Sequence, residues 1–291
     1  MVNSKSVNSK LQYPRVLAIA GSDSGGGAGI QADIKAISAT GSYASSAITA
    51  ITVQNTLGVE DVFPVPPEVI SRQIECVIDD IGVDAVKIGM LHSAPVIEAV
   101  AKSLSSELER GTSVCGVKNL VLDPVMVSTS GHRLIEESAI ETLMERLIPM
   151  ARVITPNIPE AEVLSGMKVY SGKDLQKVAL SVSMGGRVSV LMKAGHLTDG
   201  VLSDVFYNAE EDRMIELPSE RIETVNTHGT GCTLSSAFAS YLAQGFDLDD
   251  AARLAKNYIS QAISQGSNYK IGHGHGPVNH FFMLGKIEKK C

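Results

Sequence analysis

Short apolar runs alternate with amphipathic stretches along almost the whole chain. The apolar runs have the length of buried strands, and they lie at residues 16–20, 47–53, 84–88, 120–122, 152–154 and 189–192. The stretches between them repeat apolar residues at helical spacing, as over residues 67–81 and 94–108. Apolar strands that alternate with amphipathic helices are typical of a parallel sheet covered on both faces. The pattern therefore predicts an α/β fold.

The pattern changes after residue 200. Two β-rich runs within residues 201–217 predict a small antiparallel hairpin at an edge of the sheet, and two amphipathic helices follow it. No repeat and no linker marks a boundary between domains. We therefore expect a disordered lead-in over residues 1–14 and a single domain over residues 15–285.

Composition narrows the class of protein. The 291 residues are 44% hydrophobic and 20% charged, which is enough to bury a core and excludes intrinsic disorder. The net charge of −7 argues against a nucleic-acid partner. No apolar run approaches the ~20 residues that a membrane helix needs. Four scattered cysteines and a polar N-terminus favour a cytoplasmic protein.

Polar and glycine-rich residues gather where the predicted strands end. They lie at residues 21–23, 54–55, 87–89, 123–124, 155–157 and 193–196. Ligands of open α/β sheets bind beyond the carboxyl ends of the strands. One polar loop would carry little weight, but six together predict a composite site.

A glycine loop over residues 25–29 follows the first strand. Gly27, Gly29 and Ala32 match a loose dinucleotide-binding fingerprint, but the acid that would hold the ribose about 20 residues later is absent. A nicotinamide-dependent enzyme is therefore disfavoured, and the absence of a GxxxxGK[ST] motif excludes a Walker-A NTPase. A turn that lets the next helix pack tightly on the sheet remains the alternative to a ligand loop.

A second glycine-rich motif, residues 227–234, opens one of the last two helices. Gly229 and Gly231 would leave backbone N–H groups free at the positive end of the helix dipole, which suits a phosphate or a phosphoryl transition state. The same field is expected to lower the pKa of Cys232. The alternative is a buried apolar cysteine beside an N-cap threonine.

Four further residues complete the candidate chemistry. Asp123 and Glu160 could hold Mg²⁺ through oxygen ligands and water. Asn157 and Glu160 also have the spacing of a helix capping box, and both roles can hold at once. Lys193 could neutralise phosphate oxygens or lie exposed on the surface. The histidines within residues 272–280 lack acidic or thiolate companions, which favours a ligand-flanking loop over a metal site.

Together these segments resemble the hydroxymethylpyrimidine/phosphomethylpyrimidine kinases of thiamine biosynthesis. The resemblance runs from residue 16 to residue 282 in the family's order. It is carried by VLAIAGSDSGGGAGIQAD, ITAITVQNTLGV, KIGML, LDPVMVSTSG, ITPNIPEAE, LMKAGH, NTHGTGCTLSSA and GHGHGPVNHF. It implies a ribokinase-like three-layer sandwich, ATP with Mg²⁺, and two successive phosphorylations of 4-amino-5-hydroxymethyl-2-methylpyrimidine. It also suggests a homodimer.

By motif position, the resemblance also implies a role for each candidate residue. The pyrimidine pocket would contain Gly21, Asp33, Gln54, Met90 and Val125. The nucleotide would be bound by Asn157, Glu160, Lys193 and Thr227, and the metal by Asp123 and Glu160. The catalytic group would consist of Gly229, Gly231, Cys232 and Lys193, with Cys232 in the place where most ribokinase-like enzymes carry a base aspartate. His132 stands where the flap of the family often has aspartate.

Two other functions remain open. A pyridoxine or pyridoxal kinase could use the same pocket, because its substrate is also a flat ring that carries a CH₂OH group. A non-catalytic pyrimidine-binding or regulatory protein could retain the fold. The intact glycine motif at residues 229–232 argues against the second alternative, since a protein that only binds pyrimidine needs no anion site.

Overall fold

The computed structural model describes residues 12–109, 115–127, 131, 134–195 and 202–285. Most of the predicted lead-in lies outside these ranges. Within them, the strands are β1 (Arg15–Asp23), β2 (Tyr43–Asn55), β3 (Gly58–Pro64), β4 (Ala85–Ile88), β5 (Leu120–Leu122), β6 (Val153–Ile154), β7 (Ser189–Met192), β8 (Leu202–Asn208) and β9 (Arg213–Ser219). The α-helices are α1 (Gly29–Ala39), α2 (Pro67–Asp80), α3 (Ala94–Glu109), α4 (Glu137–Thr142), α5 (Ile158–Ser165), α6 (Gly172–Val182), α7 (Thr230–Ala243) and α8 (Leu248–Gly266).

The strands form one sheet in the order β3-β2-β1-β4-β5-β6-β7-β8-β9. The six strands from β2 to β7 in this order are parallel to one another. The strands β8 and β9 form the antiparallel hairpin predicted at the edge. The mostly parallel α/β sheet is thereby confirmed, whereas the extent of the single domain stays a prediction.

Strand β3 was not predicted from the sequence. It pairs antiparallel with β2 at the opposite edge from the β8–β9 hairpin. Its sequence GVEDVFP contains two adjacent acidic residues, and none of its side chains is fully buried. Such an edge strand lacks the buried apolar run by which the central strands were recognised.

The continuous apolar run of β1 contributes buried side chains to both faces of the sheet. Leu17 and Ile19 belong to one buried cluster, and Val16, Ala18 and Ala20 belong to the other. Successive side chains of a strand point to opposite faces, so a strand covered on both sides must be apolar throughout. The sequence of β1 therefore requires helices on both faces of the sheet.

The helices divide between these two faces. Helices α2 to α6 pack on one face through residues such as Ile74, Ile97 and Val178. Helices α1, α7 and α8 pack on the other, where the rings of Phe206 and Phe238 lie 5.8 Å apart. The result is a three-layer sandwich in which β1 and β4 to β7 all end at the same side. Among the described residues, no helix combines the length and apolar character needed to cross a membrane.

Candidate active site

The carboxyl ends of the parallel strands open into a cavity of about 730 Å³. All but one of the candidate site residues named from the sequence lie on its wall. They are Gly21, Gln54, Met90, Asp123, Val125, Asn157, Glu160, Lys193, Thr227, Gly229, Gly231 and Cys232. His132, in the flap that the resemblance implies, lies outside the described residues, as does His196.

The start of α7 forms part of the cavity wall. Gly229 is its N-cap residue with φ +80°, and a Cβ at this position would overlap the carbonyl oxygen of Gly27. A glycine cap has no side chain to accept the first N–H groups of the helix, so those of Gly231 and Cys232 remain available for an anion. A Cβ at Gly231 would lie only 3.2 Å from Nζ of Lys193, and glycine therefore lets the ammonium approach the helix start.

Lys193 lies between two carboxylates beside the start of α7. Its Nζ is 2.8 Å from Oδ1 of Asp123 and 3.9 Å from Oε2 of Glu160. Burial opposes ionisation of the ammonium, but Asp123 and Glu160 raise the pKa of Lys193. Burial raises the pKa of Glu160 to about 7, with Asp123 adding to the effect and Lys193 opposing it. The cluster therefore carries more negative than positive charge when both carboxylates are ionised.

The capping box predicted at the start of α5 is present. The side chain of Asn157 accepts the N–H of Glu160 at 2.9 Å, and Oε2 of Glu160 accepts the N–H of Asn157 at 2.8 Å. The box fixes the carboxylate of Glu160 on the cavity wall. Glu160 therefore caps the start of α5 and also remains near Lys193.

The pKa of the Cys232 thiol shifts in the direction opposite to the prediction. Burial raises its pKa to about 11, and the nearby ammonium of Lys87 only partly offsets this. The prediction that the helix dipole lowers the pKa of Cys232 is therefore wrong, because desolvation of a thiolate outweighs the field at the helix start. The resting side chain is a thiol rather than a thiolate.

Gly21, Met90 and Gln54 form another part of the cavity wall. A Cβ at Gly21 would overlap the methyl group of Met90, so the glycine leaves room for the methionine side chain on the wall. Gln54 presents its amide beside them. Its Oε1 lies 3.1 Å from the hydroxyl of Thr52, and its Nε2 lies 3.4 Å from Nε2 of His228.

Asp33 lies outside the lining of the cavity. Its side chain is fully buried, and its Oδ1 accepts hydrogen bonds from Lys87 at 2.7 Å and Ser236 at 2.8 Å. Its Oδ2 is buried and has no hydrogen-bond partner among the described residues. The carboxylate holds the buried ammonium of Lys87, so the structure gives no support to its predicted contact with the pyrimidine.

The first glycine loop folds around Asp23. The carboxylate of Asp23 accepts the backbone N–H groups of Gly25 at 2.8 Å, Gly27 at 3.0 Å and Ala28 at 2.8 Å. A Cβ at Gly29 would overlap the carbonyl oxygen of Gly21. These N–H groups are used internally, which favours the packing turn over a loop that binds an anion.

Sequence reasoning gave no role to several polar residues of the site. The sequence indicates Asp23 and Lys87 only as members of polar strand ends, and the role of His228 depends on contacts with residues distant in sequence. Asp204 accepts the N–H of Ala194 at 2.8 Å and a hydrogen bond from Lys256 at 2.7 Å, which ties α8 to the strand end that carries Lys193. No local spacing indicates these long-range pairs.

Known proteins share the fold and much of the sequence of this chain. The chain is 36% identical to the pyridoxal kinase of Bacillus subtilis, solved as an ADP complex, with a TM-score of 0.83 over 94% of this chain and 100% of that one. It is 44% identical to the phosphomethylpyrimidine kinase of Clostridium difficile, with a TM-score of 0.73 over 86% of this chain and 99% of that one. These comparisons place the chain among ATP-using kinases of ribokinase-like fold.

The sequence comparisons are more specific. The model of the phosphomethylpyrimidine kinase family matches residues 23–279. The hydroxymethylpyrimidine/phosphomethylpyrimidine kinase of Rhizobium meliloti is 46% identical over 91% of this chain and 96% of its own length. The thiamine biosynthesis bifunctional protein ThiED of Geobacter sulfurreducens is 46% identical over 94% of this chain, which spans only 54% of that protein. The chain belongs to the phosphomethylpyrimidine kinase family.

Proposed function

We propose that this chain transfers the γ-phosphoryl group of ATP to the hydroxymethyl group of 4-amino-5-hydroxymethyl-2-methylpyrimidine, and then phosphorylates the monophosphate to the diphosphate. The observation that carries the proposal is one cavity in which the uncapped start of α7, Lys193 and Cys232 lie together with the amide of Gln54. A site for anionic phosphates and a site for a polar ring are both needed for this reaction. Family membership supports the same conclusion.

The start of α7 and Lys193 together supply what phosphoryl transfer requires. Charge on the transferred group must be neutralised and the reacting atoms aligned, and little covalent chemistry is left to the protein. The N–H groups of Gly231 and Cys232 would bind phosphoryl oxygens, and the ammonium of Lys193 would neutralise their charge. Asn157 and Thr227 lie on the same wall and would contact the nucleotide.

The carboxylates of Asp123 and Glu160 fit a magnesium ion bound together with the nucleotide. Mg²⁺ in kinases is typically held by one or two carboxylates, with water and substrate phosphates as its other ligands. In the described part of the chain, no group of three or more His, Cys, Asp or Glu side chains forms a complete metal cage. The excess negative charge beside Lys193 also suits a cation. When bound, Mg²⁺ would neutralise charge on the phosphates of the nucleotide.

Replacing Gln54 by alanine is expected to weaken binding of the pyrimidine and to leave the KM for ATP nearly unchanged. The amide lies on the cavity wall, and it can pair with a ring nitrogen and an exocyclic amine together. Losing a hydrogen bond to a buried polar group costs ~1–3 kcal/mol, so the KM for the pyrimidine should rise roughly 5- to 150-fold. Steady-state kinetics with each substrate varied in turn would measure both values. Equal changes in the two KM values would contradict this role.

The pH dependence of the first phosphorylation should differ from that of the second. The acceptor of the first step is an alcohol, which must lose a proton, and Cys232 is the candidate base. Its pKa of about 11 leaves roughly one thiolate per 10⁴ molecules at pH 7. The rate ratio of the first to the second step should therefore rise about tenfold per pH unit between pH 7 and 9. Initial rates of both steps across this range measure the ratio, and a flat ratio would exclude Cys232 as the base.

A pyridoxal kinase activity is the second candidate. The similarity to the pyridoxal kinase of Bacillus subtilis favours it, since the fold matches over 94% of this chain. ATP consumption with hydroxymethylpyrimidine, its monophosphate and pyridoxal separates the candidates. We expect the two pyrimidines to be used in preference to pyridoxal. No consumption with any of the three would favour a binding protein.

We also propose that two copies associate through the edge formed by β2 and β3. Ile51 and Phe63 are directly paired in register and share one face, and they are 51% and 68% exposed. Val53 on the same strand and Leu57 in the connecting turn are also exposed. Contiguous exposed apolar side chains of this kind mark interaction surfaces. A dimer is expected in sedimentation analysis, and Phe63→Asp should shift it towards monomer; a monomeric wild-type protein would contradict the proposal.

A further inference from the structure

His228 and Asp23 meet beside Gln54 although they lie 205 positions apart in the chain. Nε2 of His228 is 2.9 Å from Oδ2 of Asp23, and the two side chains are only 10% and 2% exposed. Burial opposes ionisation of Asp23, but hydrogen bonds from His228 and from the glycine loop lower its pKa. Asp23 is therefore a carboxylate that only accepts hydrogen bonds.

This contact fixes the role of the His228 ring. A carboxylate offers no hydrogen, so Nε2 of His228 must carry one and donate it to Asp23. Nε2 then has no lone pair for the Gln54 amide nitrogen, which lies 3.4 Å away. Two donors cannot form a hydrogen bond with each other. The amide oxygen of Gln54 is therefore the atom that suits the side facing His228, so the amide is turned over relative to the assignment that puts its nitrogen there.

The residue on the other side of Gln54 leads to the same orientation. The hydroxyl of Thr52 donates to the carbonyl of Ser22 at 2.8 Å, so its oxygen can accept a hydrogen from the amide nitrogen of Gln54. With the oxygen towards His228 and the nitrogen towards Thr52, no two donors face each other. The Nε2 hydrogen that Asp23 accepts at 2.9 Å is then shared with the amide oxygen, which takes the position 3.4 Å from Nε2. The network selects one of the two amide orientations, as such networks generally do.

The surrounding backbone holds the His228 ring in place. A Cβ at Gly27 would overlap Cδ2 of His228, so the glycine is what leaves space for the imidazole. The backbone N–H of His228 donates to the carbonyl of Gly276 at 3.0 Å. The ring therefore keeps its position between the first glycine loop and the start of α7.

We propose that His228, held by Asp23, is a positioning residue that fixes the amide of Gln54 and thereby selects the ring. The fixed amide presents an acceptor and a donor in a set order, which matches an exocyclic amine next to a ring nitrogen. Pyridoxal has no such pair, because a methyl-bearing carbon separates its ring nitrogen from the carbon that carries its hydroxyl. The proposal deepens the proposed function and rests on it in assigning the ring to Gln54.

The test compares His228→Leu, His228→Gln and Thr40→Val with the wild type. Leucine removes the donor, whereas glutamine retains a side-chain N–H. Thr40→Val is the matched control, because the hydroxyl of Thr40 donates to Ser240 at 2.7 Å and joins α1 to α7 at the end remote from the cavity. Calorimetry without ATP measures binding of hydroxymethylpyrimidine and of pyridoxal, and kinetics measures kcat/KM for each. Melting temperatures are recorded for every variant.

His228→Leu should reduce the preference for the pyrimidine over pyridoxal about tenfold in both measurements. His228→Gln should retain most of the preference, and Thr40→Val should lower only the melting temperature. An unchanged preference in His228→Leu, or a wild-type protein that binds neither ring, would overturn the positioning role. Wild-type protein that binds the pyrimidine without phosphorylating it would contradict the proposed function alone, and the binding preferences would still decide the role of His228.

Discussion

Replacing Cys232 by serine is expected to slow the phosphorylation of hydroxymethylpyrimidine about 10²- to 10⁴-fold, the range that a positioned base contributes. The second step should be largely spared, because its acceptor is already a phosphate anion and needs no base. Serine keeps the size of the side chain and the start of α7. Each step is measured separately on the same purified variant.

The melting temperature of the Cys232→Ser protein is the control for folding. If both rates fall in parallel, Cys232 shapes the anion site and does not act as a base. If neither rate falls, the thiol is structural and the proposed chemistry of the first step is wrong. The selective loss of one step is the only outcome that supports a base.

Replacing Lys193 by methionine should slow both steps about 10²- to 10³-fold, the loss seen when a preorganised charge-stabilising group is removed from an active site. Both steps transfer the same group, so both need its charge neutralised. The change would also leave the carboxylate of Asp123 without the ammonium at 2.8 Å. Initial rates of each step at saturating ATP give the effect.

Lys168→Met is the matched control for this substitution. Lys168 is an exposed lysine that pairs with Glu162 at 2.7 Å, away from the cavity lining. Surface ion pairs contribute little to stability, so the control should keep both rates and nearly the full melting temperature. A Lys193→Met protein that lost only the first step would contradict a shared role in phosphoryl transfer.

The central part of the fold is predictable because its strands are buried on both faces. The run at residues 16–20 is apolar throughout, and the structure buries alternate side chains in opposite clusters. Strand β3 escaped prediction because it is an edge strand with exposed acidic side chains. The pattern of apolar residues in a sequence reflects which side chains are buried. A strand that buries few side chains therefore shows no clear apolar pattern.

The site was predictable as a group of strand ends and helix starts, but not in its electrostatics. The field at the start of α7 can be inferred from local sequence, whereas the burial that raises the pKa of Cys232 comes from the whole fold. Asp33 has no local sign of its pairing with Lys87, 54 positions away. The contact between His228 and Asp23 likewise exists only once the chain has folded.

The most direct test of the account follows both reactions in one tube by ³¹P NMR. The purified chain, Mg²⁺, excess ATP and hydroxymethylpyrimidine are mixed, and the phosphorus signals are recorded over time. We predict that the pyrimidine monophosphate forms first and is then converted to the diphosphate, with two ADP produced per pyrimidine. ADP formation without a phosphorylated pyrimidine, or transfer to pyridoxal alone under the same conditions, would contradict the claim that this cavity catalyses both phosphorylations.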